Sequence, residues 1–112
     1  MSDNEAQPIT MRSWEDHGSV VSEGLPIRYR QNDSGEMAYL DFDPTKLPTR
    51  SANEIETRAR VVDFDENDEV IGVEFFAPEF DITGLPFTNE VRAFLSTKGT
   101  VKMDVLKELP NP

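Results

Sequence analysis

The sequence predicts an α+β domain that is mainly β, a small antiparallel β-meander with one short C-terminal helix and a final strand. Two stretches between residues 54 and 76 alternate apolar and polar side chains about a turn at Asn67 and Asp68, as half-buried strands do. One helical period, with Val91, Phe94 and Leu95 on the same face, lies near the C-terminus. The length of 112 residues fits a single domain.

The excess of acidic residues is the strongest compositional feature. The chain has 22 Asp and Glu against 11 Lys and Arg, a net charge of -11. Such a surface repels nucleic-acid phosphates and anionic lipid and attracts basic proteins. We therefore expect a basic partner protein, no direct nucleic-acid binding and no membrane, although acidity that serves only solubility is an equal alternative. The chain has no Cys, no signal-peptide pattern and no long apolar run, which predicts a cytoplasmic location.

The N-terminal stretch 1–24 is predicted to be a flexible acidic arm. It carries five acidic residues and one arginine, and its few apolar residues follow no helical or strand period. Trp14 is expected either to fold back onto the domain or to anchor a partner. The stretch 25–109 is predicted to form a single β-rich domain, and 110–112 a tail.

The first predicted hairpin pairs 27–30 with 37–42 across turn-forming residues at 31–35. Prolines 44 and 48 predict a loop over 43–53. A second hairpin pairs 54–65 with 69–76, and its turn is expected to be type I′ because Asn67 and Asp68 both tolerate left-handed backbone.

The register of the second hairpin follows from the centre of its turn. Residues 64, 62 and 60 should lie opposite residues 71, 73 and 75 on one buried face. The other face pairs Val61 with Glu74 and Asp63 with Gly72.

The C-terminal third is predicted to be irregular over 77–87, helical over 89–97 and extended over 100–106. Thr88 suits the helix N-cap, and Gly99 suits the position after the helix ends.

The two hairpins carry a family resemblance. Tyr29, the run Ala38-Tyr39-Leu40, and residues 62–74 with their acidic turn and Val-Ile-Gly-Val-Glu strand resemble a bacterial family termed domain of unknown function 2283. Asp68 stands where that family has glycine, and the helix-strand segment at the C-terminus lies outside the resemblance, which spans roughly 27–78. It implies a small β-meander, no known catalytic residues and sometimes a neighbouring gene for a small toxin-like protein.

Oxygen-bearing residues recur around the second turn with the spacing of a calcium loop. Asp63, Asp65, Asn67, Glu69 and Glu74 match the ligand positions, but Asp68 replaces the glycine that the loop requires, and strands flank it instead of helices. We therefore predict a solvated acidic turn, without a metal or cofactor. His17, the only histidine, is expected to be solvated beside Glu15 and Asp16. No catalytic constellation is recognisable, so the chain is predicted not to be an enzyme.

Three functions remain open on these observations. The first is an acidic binding module that docks on a basic protein, as an antitoxin-like neutraliser or a regulatory subunit. The second is a phage-type nucleic-acid mimic that inhibits a DNA- or RNA-binding machine, and the third is a housekeeping protein. The residues predicted to bind a partner are Asp63, Asp65, Glu66, Asp68, Glu69 and Trp14.

Overall fold

Six antiparallel strands form the main sheet of the computed structural model, which describes residues 14–76 and 79–103. These strands are β1 (Glu15–Ser22), β2 (Leu25–Gln31), β3 (Ala38–Asp41), β4 (Arg50–Glu54), β5 (Arg60–Phe64) and β6 (Val70–Phe75). The remaining elements are the helical turn α1 (Ile55–Arg58), strand β7 (Glu79–Asp81), helix α2 (Asn89–Ser96) and strand β8 (Thr100–Lys102). The predicted fold class, α+β and mainly β, is confirmed.

Two three-stranded meanders make up the sheet, because its strand order is β1-β2-β3-β6-β5-β4. Within each meander, neighbours along the chain are also neighbours in space. The meanders join through β3 and β6, where Ala38 lies opposite Phe75 and Asp41 opposite Gly72. The outer strands of the sheet are therefore β1 and β4.

The register predicted for the second hairpin is confirmed over four pairs. Residues 60, 61, 62 and 63 lie opposite 75, 74, 73 and 72. The last pair differs, because a bulge places Phe64 opposite Val70 instead of Ile71. The extra residue lies next to the turn, where bulges commonly increase strand twist.

Two strands lie where the sequence predicted an arm and a loop. The prediction of a flexible arm over 1–24 is wrong for Glu15–Ser22, which forms β1 and pairs with β2. The predicted loop over 43–53 likewise contains most of β4, which pairs with β5. Both are outer strands with few buried side chains, so backbone pairing defines them and their hydrophobic pattern does not. Residues 1–13 and the predicted tail at 110–112 lie outside the described residues.

The stretch predicted as one strand over 54–65 is interrupted. Residues 55–58 form α1, which ends where Ala59 takes left-handed backbone (φ 54°) and donates its N–H to the Ile55 carbonyl. The strand begins only at Arg60. The region predicted to be irregular over 77–87 contains β7, which pairs in parallel with β8.

Helix α2 and strands β7 and β8 cover one face of the sheet. The predicted helix is confirmed to within one residue. The Thr88 hydroxyl caps it by accepting a hydrogen bond from the Val91 N–H. Val91 and Leu95 are buried, and the Phe94 ring meets Tyr29 of β2 edge to face at 5.7 Å. Thr100–Lys102 confirms the start of the last predicted strand, and residues 104–106 lie outside the described residues.

Arg60 is a charged residue within this apolar core. Its guanidinium donates to Glu54 Oε1 at 2.7 Å and to the carbonyl oxygens of Asp81 (2.5 Å) and Thr83 (2.8 Å). A buried cation is tolerated only when its donors are satisfied in this way. Arg60 thereby ties the end of β7 to the sheet.

Candidate functional site at the turn end of the sheet

Three connections lie at the same end of the main sheet, which we call the turn end. They are the β1–β2 turn at residues 23–24, the β3–β4 connection at 42–49 and the β5–β6 turn at 65–69. The antiparallel order brings them together, because the C-terminal ends of β1, β3 and β5 all lie at this edge. The β2–β3 turn and α1 lie at the opposite end.

The β5–β6 turn is organised by the side chain of Asp65. Its carboxylate accepts the backbone N–H groups of Asn67 (2.8 Å) and Glu69 (3.0 Å) and the Lys46 ammonium (2.9 Å). The hydrogen bond from the Glu69 backbone and the one from Lys46 lower the pKa of Asp65, against the opposing effect of burial. The same contact raises the pKa of Lys46.

The predicted type I′ geometry of this turn is wrong. Only Asp68 has positive φ (61°), and its N–H bonds to the Asp65 carbonyl at 2.9 Å. A longer turn that ends in a left-handed residue forms instead, because the Asp65 carboxylate binds the N–H groups within it. A type I′ turn does occur between β1 and β2, where Glu23 (φ 53°) and Gly24 (φ 81°) are both left-handed.

The six residues predicted to bind a partner do not form one surface. Glu66, Asp68 and Glu69 are exposed at the turn end, where Asp68 pairs with Arg50 at 2.9 Å. Trp14 is half-buried and precedes β1, so it lies at the opposite end of the sheet. Asp63 and Asp65 are buried, which corrects their prediction as partner-binding residues: both carboxylates are used inside the domain.

Asp63 belongs to a polar cluster on the face of the sheet opposite the apolar core. It accepts the Tyr39 hydroxyl at 2.9 Å and the Ser51 hydroxyl at 2.6 Å. The Tyr39 ring lies over Gly72, where an added Cβ would meet the hydroxyl oxygen at 1.8 Å. A glycine inside a strand often marks such a close approach, and this was the signal in the sequence for the cluster.

Glu74 lies beside this cluster, between Tyr39 of β3 and Val61 of β5 in the pairing. Burial, with a smaller contribution from the charge of Asp63, raises its pKa to about 7. A carboxyl group with this pKa changes charge near neutral pH. The described residues provide no hydrogen-bond donor to it.

The cations of the described residues are mostly neutralised within the domain. Of the nine lysines and arginines in the described ranges, seven lie within 4 Å of a carboxylate. These seven are Arg28, Arg30, Lys46, Arg50, Arg58, Arg60 and Lys102. The exposed carboxylates at the turn end that have no cation partner among the described residues are Glu23, Glu66 and Glu69.

Metal-binding geometry is not present in the described parts of the chain, which hold no group of three or more His, Asp or Glu able to hold an ion. Within the run that has calcium-loop spacing, the Asp65 carboxylate accepts hydrogen bonds from backbone N–H groups and from Lys46. His17 Nε2 lies 3.5 Å from Glu15 Oε1 on β1. Neither helix in residues 14–76 and 79–103 has the length and apolar character needed to cross a membrane.

No protein-family model, curated protein or solved structure matches the chain.

Proposed function

We propose that the protein is a non-enzymatic binding module that docks on a basic partner protein through the turn end of its sheet. The observation that carries the proposal is the internal neutralisation of most lysines and arginines. Since seven of nine cations in the described ranges are paired with carboxylates, the charge left for a partner to meet is negative. A potential of one sign steers an oppositely charged protein during encounter.

The turn end presents its carboxylates on an ordered backbone. Asp65 fixes the turn that carries Glu66 and Glu69, and Lys46 links this turn to the β3–β4 connection. Little conformational entropy is then lost in the turn on binding, which favours recognition by a preformed surface. The exposed apolar side chain of Leu47 lies on the same connection as Lys46 and adds a hydrophobic contact beside the charges.

The expected consequence is kinetic. Exposed carboxylates accelerate association more than they slow dissociation, so ionic strength should act mainly on the association rate. At ~0.15 M salt the Debye length is about 8 Å, and at higher salt concentrations the electrostatic steering should be largely lost.

A matched pair of variants tests the location of the site. E66Q/E69Q removes two exposed charges from the turn end, and D33N/E36Q removes two from the β2–β3 turn at the opposite end. Each form is immobilised, incubated with lysate of the native host at low salt, and the bound proteins are quantified by mass spectrometry. We expect a basic protein that is retained by the wild type and D33N/E36Q and lost from E66Q/E69Q.

The recovered protein then serves for rate measurements against ionic strength. A steep fall in the association rate, with little change in dissociation, supports docking by charge. Competition by DNA or RNA for the same partner would instead indicate a nucleic-acid mimic. If binding is affected neither by ionic strength nor by the E66Q/E69Q substitutions, the proposal is contradicted and solubility remains as the role of the acidity.

A further inference from the structure

We infer that the outer edge of β4 is a self-association surface, on which β4 of a second copy of this chain pairs antiparallel. The two edges of the main sheet differ in how they are protected. Strand β1 has a register break between Asp16 and Ser19, and helix α2 lies beside it, with the Phe94 ring 3.3 Å from where a Cβ on Gly18 would lie. Bulges and covering elements are the usual means of blocking edge-to-edge pairing.

Strand β4 has neither form of protection. It pairs with β5 over five residues without a register shift, and it contains no proline or glycine. No other strand of the described residues pairs with its outer side. Its backbone N–H and C=O groups on that side can therefore accept a further strand.

The sequence of β4 is complementary to itself in the antiparallel direction. Pairing two copies about Ala52 places Arg50 opposite Glu54 of the second copy, and Ser51 opposite Asn53 of the second copy. Arg50, Ala52 and Glu54 share one face of the strand, and opposite charges directly across an antiparallel pair are stabilising. The charge pairing occurs twice, once at each end of the two-fold contact.

Exposed apolar side chains flank β4 at both ends. Leu47 is 58% exposed before the strand, and Ile55 is 41% exposed directly after it. A cleft of about 430 Å³ lies beside Ile55, lined by residues 53–57. Because the pairing is antiparallel, the residues that precede β4 in one copy, Leu47 among them, approach the residues that follow β4 in the other copy, where this cleft lies. The cleft and the exposed side chains of Leu47 and Ile55 therefore support a second copy of β4 as the strand that binds this edge.

The resulting dimer has one continuous twelve-stranded sheet, with the two turn ends at opposite sides of the two-fold axis. The inference uses the edge of β4 and leaves Glu66 and Glu69 free, so the dimer contact shares only Leu47 with the proposed docking surface. Five-residue edge pairing buries little area, so the dimer is expected to be weak and concentration-dependent.

Sedimentation velocity of the full chain, from about 10 µM to 1 mM in ~0.3 M NaCl to screen repulsion between like-charged copies, tests the inference. The wild type should shift from a monomer of 12.7 kDa toward twice that mass. R50E places a carboxylate opposite Glu54 of the second copy and should weaken the dimer at least about tenfold. D68N removes the intrachain partner of Arg50 and frees Arg50 for Glu54 of the second copy, so this variant should not weaken the dimer.

A second matched pair tests the apolar contact. L47S should weaken the dimer. L25S removes a similarly exposed leucine from β2, away from the β4 edge, and should leave the dimer unchanged. Circular dichroism melts confirm that each variant folds. A wild type that stays monomeric at 1 mM overturns the inference, and so does a dimer that is insensitive to both R50E and L47S.

Discussion

At the scale of single residues, the polar face of the sheet contains the least ordinary chemistry. Asp63 is buried and accepts two hydroxyl donors, while neighbouring Glu74 has no donor among the described residues and a pKa raised to about 7. The two carboxylates therefore differ in their hydrogen bonds, and burial holds Glu74 toward its neutral form. This difference depends on where hydroxyl groups lie and could not be predicted from residue spacing.

Replacing Glu74 with glutamine should stabilise the fold at high pH. Because the pKa is higher in the folded than in the unfolded chain, the contribution of Glu74 to stability is full below about pH 4.5 and is lost as pH rises through about 7. At pH 8 the E74Q variant should be more stable than the wild type by about 1–2 kcal/mol, allowing for partial solvent screening. At pH 4.5 the difference should disappear.

Urea unfolding at several pH values measures this effect. E56Q serves as the control, since it removes one carboxylate from an exposed position and changes the net charge equally. A gain at pH 8 that E56Q reproduces in full would assign the effect to net charge instead of the burial of Glu74.

At the scale of elements, the β5–β6 turn depends on a neighbouring connection for its shape. Lys46 reaches it from the β3–β4 connection, and Arg50 reaches Asp68 from the start of β4. The sequence predicted a turn at the correct place but with the wrong geometry, since left-handed propensity at Asn67 was outweighed by hydrogen bonds from the turn to Asp65. These contacts between sequence-distant segments have no local signature.

Two substitutions of Asp65 separate the contributions of its contacts. D65N keeps an acceptor for the Asn67 and Glu69 N–H groups and loses the ion pair, as K46Q also does. D65A leaves both N–H groups without their acceptor. Melting temperatures at pH 7 should decrease in the order wild type, then D65N and K46Q together, then D65A. Equal values for D65A and D65N would show that the bonds to the backbone do not stabilise the turn.

The pH dependence provides a check on the same contacts. The pKa of Asp65 is lowered by folding, so its contribution is present at neutral pH and is lost as pH falls below its ordinary range. The stability difference between the wild type and D65N should therefore narrow in acid.

At the scale of the whole molecule, net charge opposes folding. The chain carries -11, and the described residues already use most of their cations in ion pairs, so the remaining carboxylates repel one another. Raising NaCl from about 0.01 M to about 0.15 M should increase the melting temperature by screening this repulsion. Differential scanning calorimetry at constant pH measures the change. A decrease would mean that screening of the ion pairs outweighs screening of the repulsion.

The sequence by itself determined the elements with strong internal patterns. The register of residues 60–63 against 72–75 follows from alternation, because a shift of one residue would exchange the buried and exposed faces. Helix α2 follows from its cap and its apolar face, and the fold class follows from these two elements. Acidity and the absence of Cys are fixed by composition alone.

Only the tertiary structure showed that β1 and β4 are strands, that β3 pairs with β6, and which carboxylates are exposed to solvent. β1 and β4 bury few side chains, so nothing in their local pattern separates them from loops; hydrogen bonding to β2 and β5 defines them. The same acidic run contains buried Asp63 and Asp65 and exposed Glu66 and Glu69. Whether a carboxylate faces solvent or accepts a hydrogen bond depends on residues such as Tyr39 and Lys46, which come from a different part of the chain.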